Sequence, residues 1–362
     1  MNPEEPTEQA IRRERLQEKL QELRIPAFLT TALPNVRYLS GFTGSNGALL
    51  ISDGRALLFT DPRYATQAPQ QSDCEVKIVK GPLTAGIAKW VKRLRLLSLA
   101  FEENRIGLGE YRRLKTALEG VRLKPVSDLV EALRMVKSPE EIGTIQASVR
   151  LNSVALEEAL KRFEPAMTET DLAAEIDYRM RLLGADGTAF DTIVASGARS
   201  AQPHAHPTHL PIQPNQLLLV DMGANVAGYA SDMTRTHASG KLNAKIRQMY
   251  QAVLESQLAA IDAIKPGISC ARIDGAARGV LSGYGLESLF VHSTGHGLGL
   301  EIHERPRIGR KEGTKLEAGM VITIEPGVYQ EGLGGIRIED TVVVTARGCE
   351  VLTPTRKELV VL

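Results

Sequence analysis

Residues 217–238, LLLVDMGANVAGYASDMTRTHA, constrain this chain more than any other stretch. An apolar run at 217–220 has strand character and ends in Asp221; a turn bearing Gly and Asn follows, and a second alternating segment carries Asp232. Read as an antiparallel hairpin with Val226 and Ala227 at its tip, the segment sets Asp221 directly opposite Asp232. Directly opposed side chains share a face, with Cβ atoms about 5 Å apart. Two carboxylates that close behind an apolar strand repel and raise each other's pKa unless a cation sits between them. For an isolated D-x-G, two solvated aspartates flanking a turn would be the simpler reading. A divalent metal becomes the better one only if further ligands appear downstream, and they do.

A chain of 362 residues exceeds the size at which one core usually stops growing, so two domains are expected. A net charge of +1 gives no electrostatic case for nucleic acid or an anionic membrane, and 4% aromatics argues against base-stacking surfaces. Cys74, Cys270 and Cys349 are odd in number and share no metal-type spacing, so they read as reduced thiols. The amino-terminal stretch MNPEEPTEQAIRRERLQEKL has no apolar core, and no later apolar run reaches membrane length. These features predict a soluble, cytoplasmic protein.

Taken in order, the chain predicts a helix over 8–24, with Thr7 as N-cap, an apolar side of Ile11, Leu16, Leu20 and Leu23, and a solvated charged side. Pro26 starts a strand, PAFLT. VRYLSGF, the turn TGSNG, ALLIS and ALLFTD then read as hairpins of a sheet, the last two joined at Asp53-Gly54-Arg55. Helices near 84–96, 108–119 and 127–136 alternate with strands SLAFEE and RLKPV, which makes residues 1–136 an α/β domain. Lys137 marks the boundary. Ser138-Pro139-Glu140-Glu141 forms a capping box for a long helix towards Phe163, with Ile145, Val149, Leu151 and Val154 among its apolar positions. A second helix runs from Thr168-Glu169-Thr170-Asp171 towards Leu183. Strands near 189–195, 216–222 and 228–237, helices near 243–264 and 270–283, and a strand-rich tail from 318 complete an α+β domain over 137–362. Its order of helix pair, strands, helix pair, strands suggests a faint internal two-fold repeat.

Candidate ligands and proton carriers cluster in that second domain. PHAHPTH holds His204, His206 and His209; VHSTGHGLGLEIHE holds His292, His296 and His303; His237 closes the opening hairpin. Glu325 lies in VITIEPG, and Glu339 in GIRIEDTVVV beside Arg337, both in apolar strand contexts. A buried carboxylate needs a cation or a dense set of donors. Two divalent ions would balance Asp221, Asp232, Glu325 and Glu339. One neutral imidazole added to them gives an oxygen-rich site suited to Mn²⁺, Co²⁺ or Zn²⁺. Two ions about 3.5–4 Å apart can acidify a shared water and polarise a carbonyl. Taken singly, each acid could be a salt bridge or cap and each histidine a hydrogen-bonded core residue; the set together argues otherwise. GHGLG is no dinucleotide fingerprint, HERPR lacks the second histidine of H-E-x-x-H, GSNG is no nucleophile elbow, and no Walker A motif occurs.

The set resembles the pita-bread metallopeptidases, in their aminopeptidase P and prolidase branch. Asp221 in D-x-G, Asp232 in SDMTRT, His296 in GHG, Glu325 in IEPG and Glu339 in RIED fall in that family's order and spacing. NVRYLSGFTGSNGALLI and FTDPRY look like its creatinase-like amino-terminal domain and argue against methionine aminopeptidase. The resemblance implies two divalent metals: Asp221 chelates one, His296 and Glu325 hold the other, and Asp232 and Glu339 bridge them. It implies that His204 and His303 stabilise the tetrahedral intermediate, that His292 lines a proline pocket, and that Glu325 also carries a proton to the leaving nitrogen. Arg337 and Thr234 look like groups that orient carboxylates. His206, His209 and His237 keep a structural reading.

The implied substrate is a peptide with proline at its second position, and the implied assembly is a homodimer. Arg307 could meet the C-terminal carboxylate of a dipeptide, favouring prolidase, or stand as a surface arginine. The first domain's motifs lean towards aminopeptidase P. A creatinase-like amidinohydrolase, or a pita-bread module that binds peptides without cleaving them, is the alternative that an intact ligand set argues against.

Overall fold

In the computed structural model, which describes residues 6–362, Thr7 caps helix α1 (Glu8–Glu22), its hydroxyl accepting from the Ala10 amide. Residues 1–5, which begin the stretch read above as lacking an apolar core, lie outside the described residues. Leu16 and Leu20 are buried as expected, but Ile11 and Leu23 are exposed. Arg12 is buried in their stead, paired with Glu8 and stacked 4.3 Å over the Tyr38 ring. The charge run is therefore not wholly solvated, because a guanidinium with a carboxylate and an aromatic face to satisfy it can be covered.

Strand β1 (Ala27–Thr30) is followed by helix α2 (Leu33–Ser40), where the VRYLSGF segment was expected to extend a sheet. Pro34 sits in the first turn of α2, and Gly41 closes it in the left-handed region at φ 76°. Those two end signals, with Val36 and Leu39 buried on one side, outweigh the strand-like composition. Strands β2 (Gly47–Ser52), β3 (Arg55–Thr60) and β4 (Glu75–Ile78), the last preceded by helix α3 (Gln67–Gln71), come next. Helix α4 (Leu83–Arg93), strand β5 (Ser98–Glu102), helix α5 (Leu108–Ala117), strand β6 (Arg122–Val126) and helix α6 (Leu129–Arg134) complete the unit. The strands form one mixed six-stranded sheet in the order β4-β3-β2-β1-β5-β6. Leu29, Leu50, Phe59, Ile87, Val91 and Leu99 lie in its core.

The chain divides into two compact units between Arg134 and Met135. The second opens with α7 (Pro139–Leu160), where Ser138 and Glu141 complete the expected capping box. Helix α8 (Glu169–Leu182) has a capping box of Thr168 and Asp171. Val154 is exposed, whereas the polar Ser148 and Asn152 are buried and donate to the carbonyls of Ala224 and Met222. The strand expected over 189–195 resolves into β7 (Gly187–Thr188) and β8 (Ile193–Ser196). The central hairpin is β9 (Leu217–Met222), β10 (Ala224–Val226), β11 (Tyr229–Ala230) and β12 (Met233–Ala238).

Its register differs from the expected one. Val226 pairs with Tyr229 and Asp221 with Thr234, so the tip is Ala227-Gly228. Those two residues have φ 46° and 74°, as a two-residue type I′ turn requires. Asp232 thus falls between β11 and β12, diagonal to Asp221 rather than opposite it. A slip of two residues preserves the face, so both carboxylates still point the same way.

Helices α9 (Ala244–Asp262) and α10 (Cys270–Gly283) come next, followed by β13 (Gly295–Gly297), β14 (Glu304–Ile308), β15 (Val321–Ile324) and β16 (Gly327–Gln330). Strands β17 (Gly334–Arg337), β18 (Asp340–Val344) and β19 (Cys349–Val351) end the series. Sheets of order β12-β9-β8 and β14-β13-β15-β18-β19 carry the site. Residues of α7 and α8 share a core with Val194, Leu218, Val220 and Met222. Those of α9 and α10 share another with Ile322, Ile324, Ile336 and Val342. Each helix pair therefore covers its own strands. Cys74, Cys270 and Cys349 are free thiols. No helix among the described residues is long and apolar enough to cross a membrane.

Candidate metal centre

Strand ends aim the acids at one another. Asp221 sits near the end of β9, Glu325 directly after β15, and Glu339 between β17 and β18. The Glu325 amide donates to the Thr294 carbonyl at 2.7 Å, and the Glu339 amide to the Thr234 carbonyl at 3.1 Å, which fixes both backbones. His296 lies in β13 between two glycines. At Gly295 a Cβ would come within 1.9 Å of the Thr323 carbonyl oxygen, so only glycine lets β13 lie this close to β15. One ligating atom each from Asp232, His296 and Glu339 lies within 4.8 Å of the others. His296 Nε2 is 3.5 Å from Asp232 Oδ2 and 3.4 Å from Glu325 Oε1.

Hydrogen bonds outside the cluster orient the ligands and leave their inner atoms free. His296 Nδ1 lies 3.0 Å from the Gly297 carbonyl, which can only accept, so Nδ1 carries the proton and Nε2 faces inward. Glu339 Oε2 accepts from the Thr234 hydroxyl at 2.7 Å, and Asp221 Oδ2 from Arg337 Nη2 at 2.5 Å. Among the described residues, the remaining oxygens, Asp221 Oδ1 and Glu339 Oε1, are buried without a hydrogen-bond partner.

The electrostatics point the same way. Burial, with the neighbouring Asp221 and Glu325 charges, lifts Asp232 to about 7. Burial and the charges of Asp232, Glu325 and Asp221 push Glu339 far above the carboxylate range; Glu325 is raised chiefly by burial. Burial disfavours charge on His296 too, yet the facing Asp232 and Glu325 carry it up to about 9. A proton drawn to Nε2 and a divalent cation answer the same demand for positive charge. The orphaned oxygens, the inward Nε2 and the excess of acids fit divalent metal ions with a hard, oxygen-rich ligand set.

A second layer links this cluster to a neighbouring wall. Arg337 donates through Nε to Thr234 Oγ1 at 3.0 Å, and through Nη1 to the Tyr329 hydroxyl at 2.7 Å. Because Arg337 can only donate, the Tyr329 proton goes to His292 Nε2, 2.8 Å away. His292 Nδ1 must then carry the ring proton and donate to the Ser293 carbonyl, also at 2.8 Å. Burial and Arg337 push His292 down to about 4, so it is neutral, with both nitrogens engaged. What it offers a ligand is ring carbon. Tyr329 went unrecognised in the sequence, since nothing in GVYQ distinguishes it from a packing tyrosine.

Exposed His303 lies with its ring centroid 4.4 Å from that of His296, edge to face. His204 is exposed; burial, with the neighbouring His296 and His204, lowers the pKa of His303. Arg307 is exposed and pairs with His296 across β13 and β14, so both side chains leave the same face of the sheet. His206 and His209 are exposed; His237 is buried on the opposite face of β12 from Thr234. None of these three joins the cluster.

Residues 143–346 match the metallopeptidase family M24, and residues 12–136 match the creatinase/prolidase amino-terminal domain. The chain belongs to metallopeptidase family M24, in the pita-bread fold. It is 36% identical to the Xaa-Pro dipeptidase of Pyrococcus horikoshii, over 93% of this chain and 95% of that one. Among solved structures, an Xaa-Pro dipeptidase from Bacillus anthracis superposes with a TM-score of 0.95 at 38% identity, covering 98% of this chain and 100% of that one. An X-Pro aminopeptidase from Thermotoga maritima does so with a TM-score of 0.88 at 38% identity, covering 95% and 100%.

Proposed function

We propose that this chain hydrolyses the bond between an amino-terminal residue and proline, with Xaa-Pro dipeptides as preferred substrates and two divalent ions as cofactors. The observation that carries the reading is the meeting of Asp232, His296 and Glu339 within 4.8 Å, beside buried oxygens of Asp221 and Glu339 that no described residue satisfies. Asp221, Asp232, His296, Glu325 and Glu339 would hold the ions, two being the number that balances four carboxylates. Bound there, such ions supply Lewis acidity that polarises a carbonyl and lowers the pKa of water.

The chain's own residues do the rest. Glu325, 4.0 Å from His292 Nδ1, stands between the ligand cluster and the proline wall, where its carboxylate can pass a proton to the departing imino nitrogen. His204 and His303, both exposed, would donate to the oxygen on which negative charge develops. Arg337 holds Asp221 in place and, through Tyr329, fixes the neutral ring of His292 as an apolar wall. That wall suits a pyrrolidine ring, which has no N–H to offer. A free α-amino group would face the acids, which would confine cleavage to the first bond.

Arg307 leaves the His296 face exposed, which suits a partner for the C-terminal carboxylate of a dipeptide. This reading and the prolidase-named relatives favour dipeptides, where the first domain's motifs alone leaned to longer chains. A second copy of the chain is the proposed assembly partner, testable by sedimentation. The function is tested by chelation. Activity on Xaa-Pro should vanish with the metals and return with Mn²⁺, Co²⁺ or Zn²⁺, and Xaa-Pro should outrun Xaa-Pro-Yaa. Full activity of a metal-stripped preparation would refute the metallopeptidase site; equal rates on both lengths would refute the role of Arg307.

A further inference from the structure

We infer that Glu169 is a positioning residue for His204: one fully buried carboxylate closes the base of the loop that presents this histidine. The inference rests on the reading of His204 as a donor to the developing oxyanion. Glu169 lies in the first turn of α8, well outside the ligand cluster, with its side chain at 0% exposure. Such a group is tolerated only where its lone pairs are met.

Here they are met by donors from three points along one loop. Glu169 Oε1 accepts from the Ser196 amide at 2.7 Å and from the Ser196 hydroxyl at 2.9 Å, where the loop leaves β8. Oε2 accepts from the Thr208 amide at 3.0 Å and hydroxyl at 2.8 Å, where the loop returns. Arg199 Nε, within the loop, reaches Oε2 at 3.1 Å, and its Nη2 donates onward to the His206 carbonyl at 2.6 Å.

Between those anchors the Ser200 hydroxyl accepts from the Gly335 amide at 2.8 Å. After a 3-10 turn at Gly197–Ala201, residues 202–210 form no helix or strand. The segment beside His204 is steadied by the Pro203 carbonyl, which accepts from Arg337 Nη1 at 3.2 Å, and by Ala205, buried against Ile193, Ala195 and Leu219. From His206 to Thr208 the path is held by Arg199 and Thr208, which both bond the Glu169 carboxylate, and by the Thr208 carbonyl, which accepts from the Thr170 amide at 3.0 Å. Pro203 and Ala205 hold the backbone on either side of His204, and Glu169 ties together the two ends of the loop that carries it. Displacing a catalytic group by about 1 Å can cost roughly 100-fold in rate.

A double-mutant cycle on the metal-loaded enzyme with an Xaa-Pro substrate tests this. Glu169→Gln should lower kcat about 10- to 100-fold, with KM moving less. Adding Glu169→Gln to His204→Ala should cost almost nothing further, because a loop without its histidine has nothing left to misplace. The inference is overturned if Glu169→Gln costs the same factor with and without His204, or leaves kcat unchanged. A His204→Ala enzyme at the wild-type rate would instead refute the role of His204 itself. Thr208→Val keeps the carboxylate and removes one donor, so it covers the case in which Glu169→Gln fails to fold. It should lose roughly 3- to 10-fold in kcat, again only when His204 is present.

Discussion

Glu339 and Asp340 are consecutive buried acids that the protein treats in opposite ways. Asp340 is satisfied on both oxygens. Oδ1 accepts from Arg235 Nη2 at 2.8 Å, and Oδ2 from Gln257 Nε2 at 2.8 Å and from Lys357 at 2.5 Å. Glu339, one residue earlier and so facing the other way, has a threonine hydroxyl on one oxygen and nothing from the described residues on the other. Burial alone does not tell a structural acid from a ligand. What separates them is whether the protein supplies the compensating charge or leaves that to a cation.

The sharpest test of this contrast is to neutralise each acid in turn. Asp340→Asn leaves Arg235 buried against a neutral partner and should destabilise the chain by about 3–5 kcal/mol, read by denaturant unfolding with chelator present. Glu339→Gln should leave the chelated protein as stable as wild type or more so, since it removes repulsion, yet lower kcat by roughly 1,000-fold. Finding these two effects exchanged would break the contrast.

His237 extends it to a base. Both ring nitrogens are buried with no partner among the described residues, and burial, with Arg235 and Arg356, lowers its pKa from 6.5 to about 4. Between those values the unfolded chain binds a proton that the folded chain refuses, so stability falls as pH drops through 6.5 and levels off below 4. The loss is about 3 kcal/mol, and His237→Leu should flatten that part of the pH–stability curve. An unchanged slope would show that the ring has a partner after all.

Metal should act on one side of the contrast only. At about 100 times Kd it should stabilise wild type by about 2.7 kcal/mol, and clearly less in Glu339→Gln, by thermal unfolding with and without Mn²⁺. The smallest effect belongs to a bond that the protein completes internally. Ser138→Ala removes the α7 cap and should cost roughly 1 kcal/mol while kcat on Xaa-Pro stays at the wild-type value.

Much of this was legible in the sequence, and the rest was hidden for physical reasons. The capping box at Ser138 and the Thr7 cap carry local signals, and the structure places them as expected; Glu339 is buried, while Glu325 is half-buried. The hairpin register was misplaced by two residues because Asn225-Val226-Ala227-Gly228 offers several two-residue tips, and only the paired strands select one. VRYLS was misread because its strand-like residues outnumber its two helix-end signals. Tyr329 and Glu169 were not visible as site residues, since their roles arise from partners 8 and 27 positions away. No spacing rule encodes such contacts.

The most direct test is equilibrium dialysis of chelator-stripped protein against Mn²⁺, with hydrolysis of an Xaa-Pro dipeptide followed on the same samples. Wild type should take up about two equivalents per chain, with activity rising as they bind, and Glu339→Gln should take up fewer. Full hydrolysis without bound metal, or wild-type uptake by Glu339→Gln, would contradict the claim that these acids converge to hold cations.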